Sequence, residues 1–190
     1  MIDAMFLIGV CSSQWYSKLS DIPVTGLPLF FAILACTWYT QSLPLSVYTY
    51  GFPNLLHIFE LLIYVDLIQF CMHFAFHKKF FGLYVYNSHN IHHKVKHPTP
   101  KDAFLTGFVD SIIQLMLPIY LSIQFVEPNR TTITVFGILY SQWLLYIHSE
   151  FSEISQYLVS PEYHKKHHQN LDKNFAHVFP IWDHVLRTKC

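Results

Sequence analysis

With 190 residues, the chain has the length of a single domain. Hydrophobic residues make up 52% of it and charged residues only 13%, a composition more typical of a membrane protein than of a soluble one. The formal net charge is zero, which excludes the basic electrostatic field that nucleic-acid binding requires.

Four apolar segments are predicted to cross a bilayer as helices, since a span needs about 20 residues. In chain order they cover Leu27–Tyr48, Asn54–His77, Phe104–Phe125 and Thr132–His148. Pro28 and Pro44 interrupt the first segment. No internal repeat or linker separates the segments. The predicted fold class is therefore all-α, a single membrane domain over residues 1–190 built as an integral-membrane bundle of about four transmembrane helices.

Positive charges divide unevenly between the two ends of these spans. Apart from Arg130, every lysine and arginine precedes the first span, connects the second to the third, or follows the fourth. Connections rich in lysine and arginine tend to remain cytoplasmic. The sequence thus predicts a cytoplasmic location for the polar segments, which also carry most of the histidines.

Three short motifs contain most of the thirteen histidines. The first, HFAFH, places His73 and His77 four residues apart, on one face of a helix. The second and third are HNIHH and HKKHH, with His89, His92, His93, His164, His167 and His168. On a helix, the spacings of three and four are predicted to direct the three nitrogens of each motif to a common point. This repetition favours metal binding over a solvated polar face, whereas an interfacial pair remains an equal alternative for the first motif alone.

Other functional classes agree less well with this pattern. A cytochrome b-type haem protein uses single histidines opposed across a bundle. A metal transporter places its ligands at membrane depth, often with carboxylates, whereas these motifs lie in polar segments. A catalytically inactive, lipid-binding protein remains open.

The three motifs, in this order and separated by hydrophobic spans, resemble the HxxxH, HxxHH and HxxHH pattern of the fatty acid hydroxylase and sterol desaturase superfamily. The resemblance covers about 54–188 and leaves 1–53 as an N-terminal region with one membrane segment. HPTP at His97–Pro100 is similar to the corresponding stretch of sterol C5 desaturases. The closing segment Asn174–Thr188 is most similar to that of the sterol hydroxylases.

The resemblance implies a non-haem diiron centre, two Fe ions held by imidazoles in a cytoplasmic cap. The ligands that it implies are His73, His77, His89, His92, His93, His148, His164, His167 and His168. Asp66 and Asp183 are candidates to accept a hydrogen bond from the outer nitrogen of a ligand. Where sterol C5 desaturases carry further histidines, this chain has Phe104 and Gly107. Candidate substitutes are His97, Asn174 and His177.

The implied activity is O2-dependent hydroxylation or desaturation of a lipid. HPTP and the closing segment favour a sterol, with a fatty-acyl lipid as the alternative substrate. The chain lacks the GxGxxG dinucleotide fingerprint, and the resemblance implies cytochrome b5 and its reductase as electron donors. It also implies the endoplasmic reticulum membrane, with the active site on the cytoplasmic side.

Overall fold

A computed structural model describes residues 35–190, in which every regular element is helical. The α-helices are α1 (Leu55–His77), α2 (Leu83–His93), α3 (Leu117–Val126), α4 (Arg130–Ile147), α5 (Pro161–Gln169) and α6 (Ile181–Val185). Residues 35–40 are also helical. Short 3-10 turns cover Leu45–Tyr48 and Pro100–Asp102. One α-helical turn, Phe108–Asp110, continues as the π-helix Ser111–Met116 into α3.

The predicted spans agree with the observed helices to different degrees. The second and fourth correspond closely to α1 and α4, whereas helical structure in the third begins only at Phe108. Residues 27–34 of the first lie outside the described residues; in its described part the helix ends at residue 40, before Pro44. Among the described helices, α1 alone is both long and apolar enough to cross a membrane.

Two asparagines fix the beginnings of α1 and α4 and tie them together. The Asn54 side chain accepts hydrogen bonds from the backbone N–H groups of Leu56 and His57. The Asn129 side chain likewise accepts from the Thr132 backbone. The Thr132 hydroxyl in turn accepts from the Asn54 backbone N–H, at 2.9 Å. Both helices therefore start at the same end of the bundle with their first-turn donors satisfied.

α3 and α4 each pack against α1. Glu127 ends α3 in the left-handed conformation, with φ 50°, and the chain turns back within three residues. Apolar residues of the three helices, among them Leu61, Ile123 and Phe136, build a buried core. This core continues through Phe175 and Val178 into residues 173–188, the C-terminal segment.

Two buried carboxylates hold the C-terminal segment against the bundle. Asp66, on α1, accepts hydrogen bonds from the backbone N–H groups of Val178 and Phe179 and from the Trp182 indole, at 2.7–3.0 Å. Asp183 accepts from the backbone N–H groups of Phe175 and Ala176. Both carboxylates are fully buried, and Asp66 fixes the segment against the middle of α1.

Candidate metal centre

Nine buried or half-buried histidines form two adjacent clusters that could each hold a metal ion. The five-histidine cluster consists of His73, His77, His89, His93 and His167. The four-histidine cluster consists of His92, His148, His164 and His168. Within each cluster, the candidate ligand nitrogens lie within 4.8 Å of one another. All nine histidines singled out from the sequence are thus brought together.

Each HxxHH motif contributes to both clusters. From α2, His89 and His93 face the five-histidine cluster, and His92 faces the other one. From α5, His164 and His168 face the four-histidine cluster, and His167 faces the other one. The prediction that each motif directs three nitrogens to one point is therefore wrong. Adjacent residues on an α-helix are about 100° apart, so the two neighbouring histidines of each motif diverge.

Distances between the Nε2 atoms match shared coordination of one ion. In the five-histidine cluster, Nε2 of His77 lies 3.2 Å from that of His73 and 3.1 Å from that of His89. In the four-histidine cluster, Nε2 of His164 lies 3.1 Å from that of His148 and 3.2 Å from that of His168. Two nitrogens bound at a right angle to one ion at about 2.1 Å lie about 3.0 Å apart. The residues present therefore fit a transition-metal ion in each cluster.

Hydrogen bonds at the outer nitrogens orient most of these rings. Backbone carbonyls accept from Nδ1 of five of them: His73 (Phe175), His92 (Leu105), His148 (Leu144), His167 (Lys173) and His168 (Val95). A neutral ring that donates from Nδ1 carries its lone pair on Nε2. These bonds consequently select the tautomer in which Nε2 is the metal-binding atom.

Burial keeps several of these imidazoles uncharged. Desolvation, reinforced by the neighbouring imidazoles, lowers the pKa of His92 from 6.5 to about 4. The same two causes lower the pKa of His93, His164 and His167 well below 6.5. A metal ligand must be unprotonated, so the clusters are ready for a cation at neutral pH.

Asp110 is the one carboxylate that touches a ring of either cluster among the described residues. Its Oδ1 lies 2.9 Å from Nδ1 of His89, and both side chains are buried. Asp110 lies within the third predicted span, Phe104–Phe125. Its spacing from His89 gave no signal of the pairing, because the two residues belong to different elements.

Close backbone packing explains why a histidine is absent at Gly107. A Cβ atom at this position would lie 2.6 Å from the Ser88 carbonyl oxygen and 3.0 Å from Ser88 Cα. The Ser88 hydroxyl also accepts a hydrogen bond from the Asp110 backbone N–H, at 3.1 Å. Gly107 therefore lets this segment approach α2 closely enough for Asp110 to reach His89.

The C-terminal segment orients two ligands with its carbonyl groups. The Phe175 and Lys173 carbonyl oxygens accept from Nδ1 of His73 and His167, at 2.7 and 2.6 Å. The prediction that Asp66 binds a ligand ring directly is wrong, and so is the same prediction for Asp183. Both carboxylates bond backbone N–H groups of this segment and act on the histidines through it.

The three candidate substitutes have different surroundings. His97 is exposed, and the Asn174 side chain bonds the backbone of Tyr163 and Cys190. His177 is buried, and its ring centre lies 4.8 Å from that of His73 and 5.7 Å from that of His164. It belongs to neither cluster, but it is the candidate that lies between them.

A cavity adjoins both clusters. His92 and His148 of the four-histidine cluster, His89 of the other one, and His177 form its polar wall. Apolar side chains of Phe104, Leu115 and Leu144 and further residues of the π-helix complete the lining. The cavity volume is about 70 Å³, enough for part of a ligand rather than for a whole drug-sized molecule, whose sites span roughly 300–1,000 Å³.

The family model described as "Fatty acid hydroxylase" matches residues 58–188. A relative from Phaeodactylum tricornutum, "Alternative squalene epoxidase", is 30% identical over 170 residues. The match covers 84% of this chain and 48% of the relative, so the chain spans about half the length of that protein. No solved structure gave a significant match. On the extent of the family match and the similarity of this relative, the chain belongs to the fatty acid hydroxylase family.

Proposed function

We propose that this protein is a membrane oxidoreductase that uses O2 to oxidise a lipid at a pair of histidine-bound iron ions. The observation that carries the proposal is the convergence of nine imidazoles on two adjacent points beside a cavity. Imidazole suits iron, as well as zinc, copper and nickel. Membership of the fatty acid hydroxylase family favours iron among these metals.

In this proposal, the residues of the chain position the ions and the lipid and exclude water from the site. The nine proposed ligands fix the ions, and Asp110 with the surrounding carbonyl groups fixes the rings. When bound, two iron ions supply the reducing equivalents and binding positions for O2 that attack on an unactivated C–H or C=C bond requires. The apolar cavity wall, with Phe104 and Leu115, is suited to hold a lipid carbon beside the histidines and to exclude water.

The proposed oxidation takes place in a membrane. α1 is long and apolar enough to cross one, and it exposes apolar side chains such as Leu55 and Phe59. The four-span arrangement, the endoplasmic reticulum location and the cytoplasmic orientation of the histidines are parts of the same proposal. Electrons must come from a separate donor, which we propose to be cytochrome b5 with its reductase.

A sterol is the favoured substrate, and a fatty-acyl lipid is the alternative. The likeness to an alternative squalene epoxidase favours epoxidation as a third outcome beside hydroxylation and desaturation. A metal- and lipid-binding protein without turnover is the competing function for the same clusters.

The test is mass spectrometry of sterols and fatty acids from eukaryotic cells that express the wild type or His164→Ala. Loss of this imidazole leaves three of the four-histidine cluster, so the variant should form no product. A lipid one oxygen heavier than its precursor indicates hydroxylation or epoxidation, and one two hydrogens lighter indicates desaturation. Acid opening to a diol then separates epoxide from alcohol.

The matched control is His97→Ala, which removes an exposed histidine outside both clusters. It should retain the product. Metal analysis of the purified proteins should find about two iron ions per wild-type chain and fewer in His164→Ala. Iron-loaded wild type that changes no lipid in cells supplied with cytochrome b5 would contradict the oxidase and favour the protein without turnover.

A further inference from the structure

Gln114 carries unused hydrogen-bonding groups in the cavity beside the clusters. Its side chain is buried, with 8% of its surface exposed. Within the described part of the chain, neither Oε1 nor Nε2 has a hydrogen-bond partner. Leaving a buried polar group unpaired costs roughly 1–3 kcal/mol, so a bound molecule that satisfies this amide would be favoured.

Most other uncharged polar residues of the cavity lining have a hydrogen-bond partner. Oε1 of Gln69 accepts a hydrogen bond from the Tyr140 hydroxyl. The Ser111 hydroxyl donates to the Gly107 carbonyl, and the Thr106 hydroxyl donates to Asp110. Nδ1 of His177 lacks a partner among the described residues, as do both polar atoms of Gln114. Of these two side chains, Gln114 therefore offers both a donor and an acceptor to a ligand.

The position of Gln114 results from an unusual backbone. It lies in the π-helix Ser111–Met116, between a short α-helical turn and α3. A π-helix inserts an extra residue into each turn and redirects the side chains, and such segments occur frequently at functional sites. Here the wider turn contributes Ser111, Gln114 and Leu115 to one cavity wall.

The chemistry of the amide indicates what binds. A primary amide both donates and accepts, and a hydroxyl group does the same. An ether or epoxide oxygen only accepts, and a hydrocarbon would leave the amide unpaired. We propose that Gln114 binds the hydroxyl group of a lipid alcohol and thereby positions the lipid at the histidine clusters. This inference rests on the proposed function and specifies its substrate class.

The experiment measures binding without turnover. Metal-loaded wild type in detergent micelles, without O2 or reductant, is titrated with octadecane, 1-methoxyoctadecane and octadecan-1-ol, and with cholestane, cholestanol methyl ether and cholestanol. Dissociation constants come from the shift in thermal unfolding. In at least one series, we expect the alcohol to bind at least about fivefold more tightly than the ether and the hydrocarbon. This ratio corresponds to one net hydrogen bond.

Gln114→Leu removes the amide at similar volume and should abolish the preference for the alcohol. Gln124→Leu is the matched control on the same helical segment, because its amide bonds the Ser42 carbonyl outside the cavity. It should retain the preference. If Gln114→Leu loses its metal, Gln114→Met takes its place.

The inference is overturned if wild type binds the three members of each series equally, or prefers alcohol and ether alike over the hydrocarbon. It is also overturned if the alcohol preference survives the loss of the amide. Because no product is measured, these results are independent of whether the protein oxidises lipids. Failure of the proposed function appears separately, as metal-loaded protein without product.

Discussion

At the scale of single residues, the pair formed by His89 and Asp110 distinguishes one ligand from the others. The five described Nδ1 bonds to carbonyl groups involve a neutral acceptor, whereas Asp110 offers a carboxylate at 2.9 Å. A carboxylate raises the basicity of the imidazole that it orients, and loss of such a partner typically costs 10–100-fold in metal affinity. His89 is therefore the ligand whose binding strength depends most on a single side chain.

Asp110→Asn should lower the metal affinity by about 10–100-fold, because the amide keeps the shape but loses the charge. Competition with a chelator, followed by metal analysis, measures the effect. Asp172→Asn is the control, since this carboxylate is 73% exposed and pairs with Lys78 rather than with a histidine. Equal metal retention in the two variants would show that the charge of Asp110 does not contribute.

The sequence predicted which histidines lie close together, but not how they are divided between the two clusters. The three motifs and the family resemblance singled out nine histidines, and the structure brings all nine together. That they bind metal stays a prediction. The division depends on where each helix lies relative to the others, as for His92 and His93, and the role of Gly107 depends on contact with a distant backbone. Neither is encoded in local spacing.

At the scale of elements, the C-terminal segment acts as a clamp on the ends of α1 and α5. Asp66 accepts three hydrogen bonds from this segment. The carbonyl groups of Phe175 and Lys173, within the segment, orient His73 and His167. Apolar runs predicted α1 and α4 closely, because length and hydrophobicity are local properties. The clamp has no such periodicity. Its sequence resembles the closing segment of the sterol hydroxylases, but the residues that it contacts are visible only in the tertiary structure.

Asp66→Asn should loosen this clamp. The amide offers one acceptor oxygen where three buried donors now bind, so at least one donor is left unpaired, at a cost of about 1–3 kcal/mol. Hydrogen exchange should be faster at the backbone N–H groups of Val178 and Phe179. Glu60→Gln, a half-buried position on the same helix, should leave these rates unchanged. Equal exchange in both variants would remove Asp66 from the clamp.

At the scale of the whole molecule, the fold buries imidazoles in a part of its interior where most proteins bury apolar side chains. Burial lowers the pKa of His92 to about 4 and that of His177 to about 3. In the unfolded chain these groups return to about 6.5. Below that value the unfolded state therefore binds protons that the folded state does not.

The metal-free protein should lose stability as the pH falls from about 6.5 towards 4. Stability rises with pH wherever the unfolded state binds more protons, by up to about 1.4 kcal/mol per pH unit for each such histidine. Unfolding midpoints of chelator-treated protein at pH 7.5, 6 and 5 measure the trend. Metal-loaded protein is the comparison and should resist acid better at pH 6, because the bound ions oppose protonation. Midpoints that do not change with pH would contradict the neutral, buried state of these rings.

Each HxxHH motif contributes histidines to both clusters, so we expect metal binding at the two sites to be cooperative. An ion in the five-histidine cluster fixes α2 through His89 and His93 and fixes α5 through His167. Those same helices carry His92, His164 and His168, so the first ion orders ligands for the second before it arrives. Binding at either site should then lower the entropic cost of ligand ordering at the other, so we expect the chain to hold both ions or neither. Protein that holds a single ion should accordingly be rare.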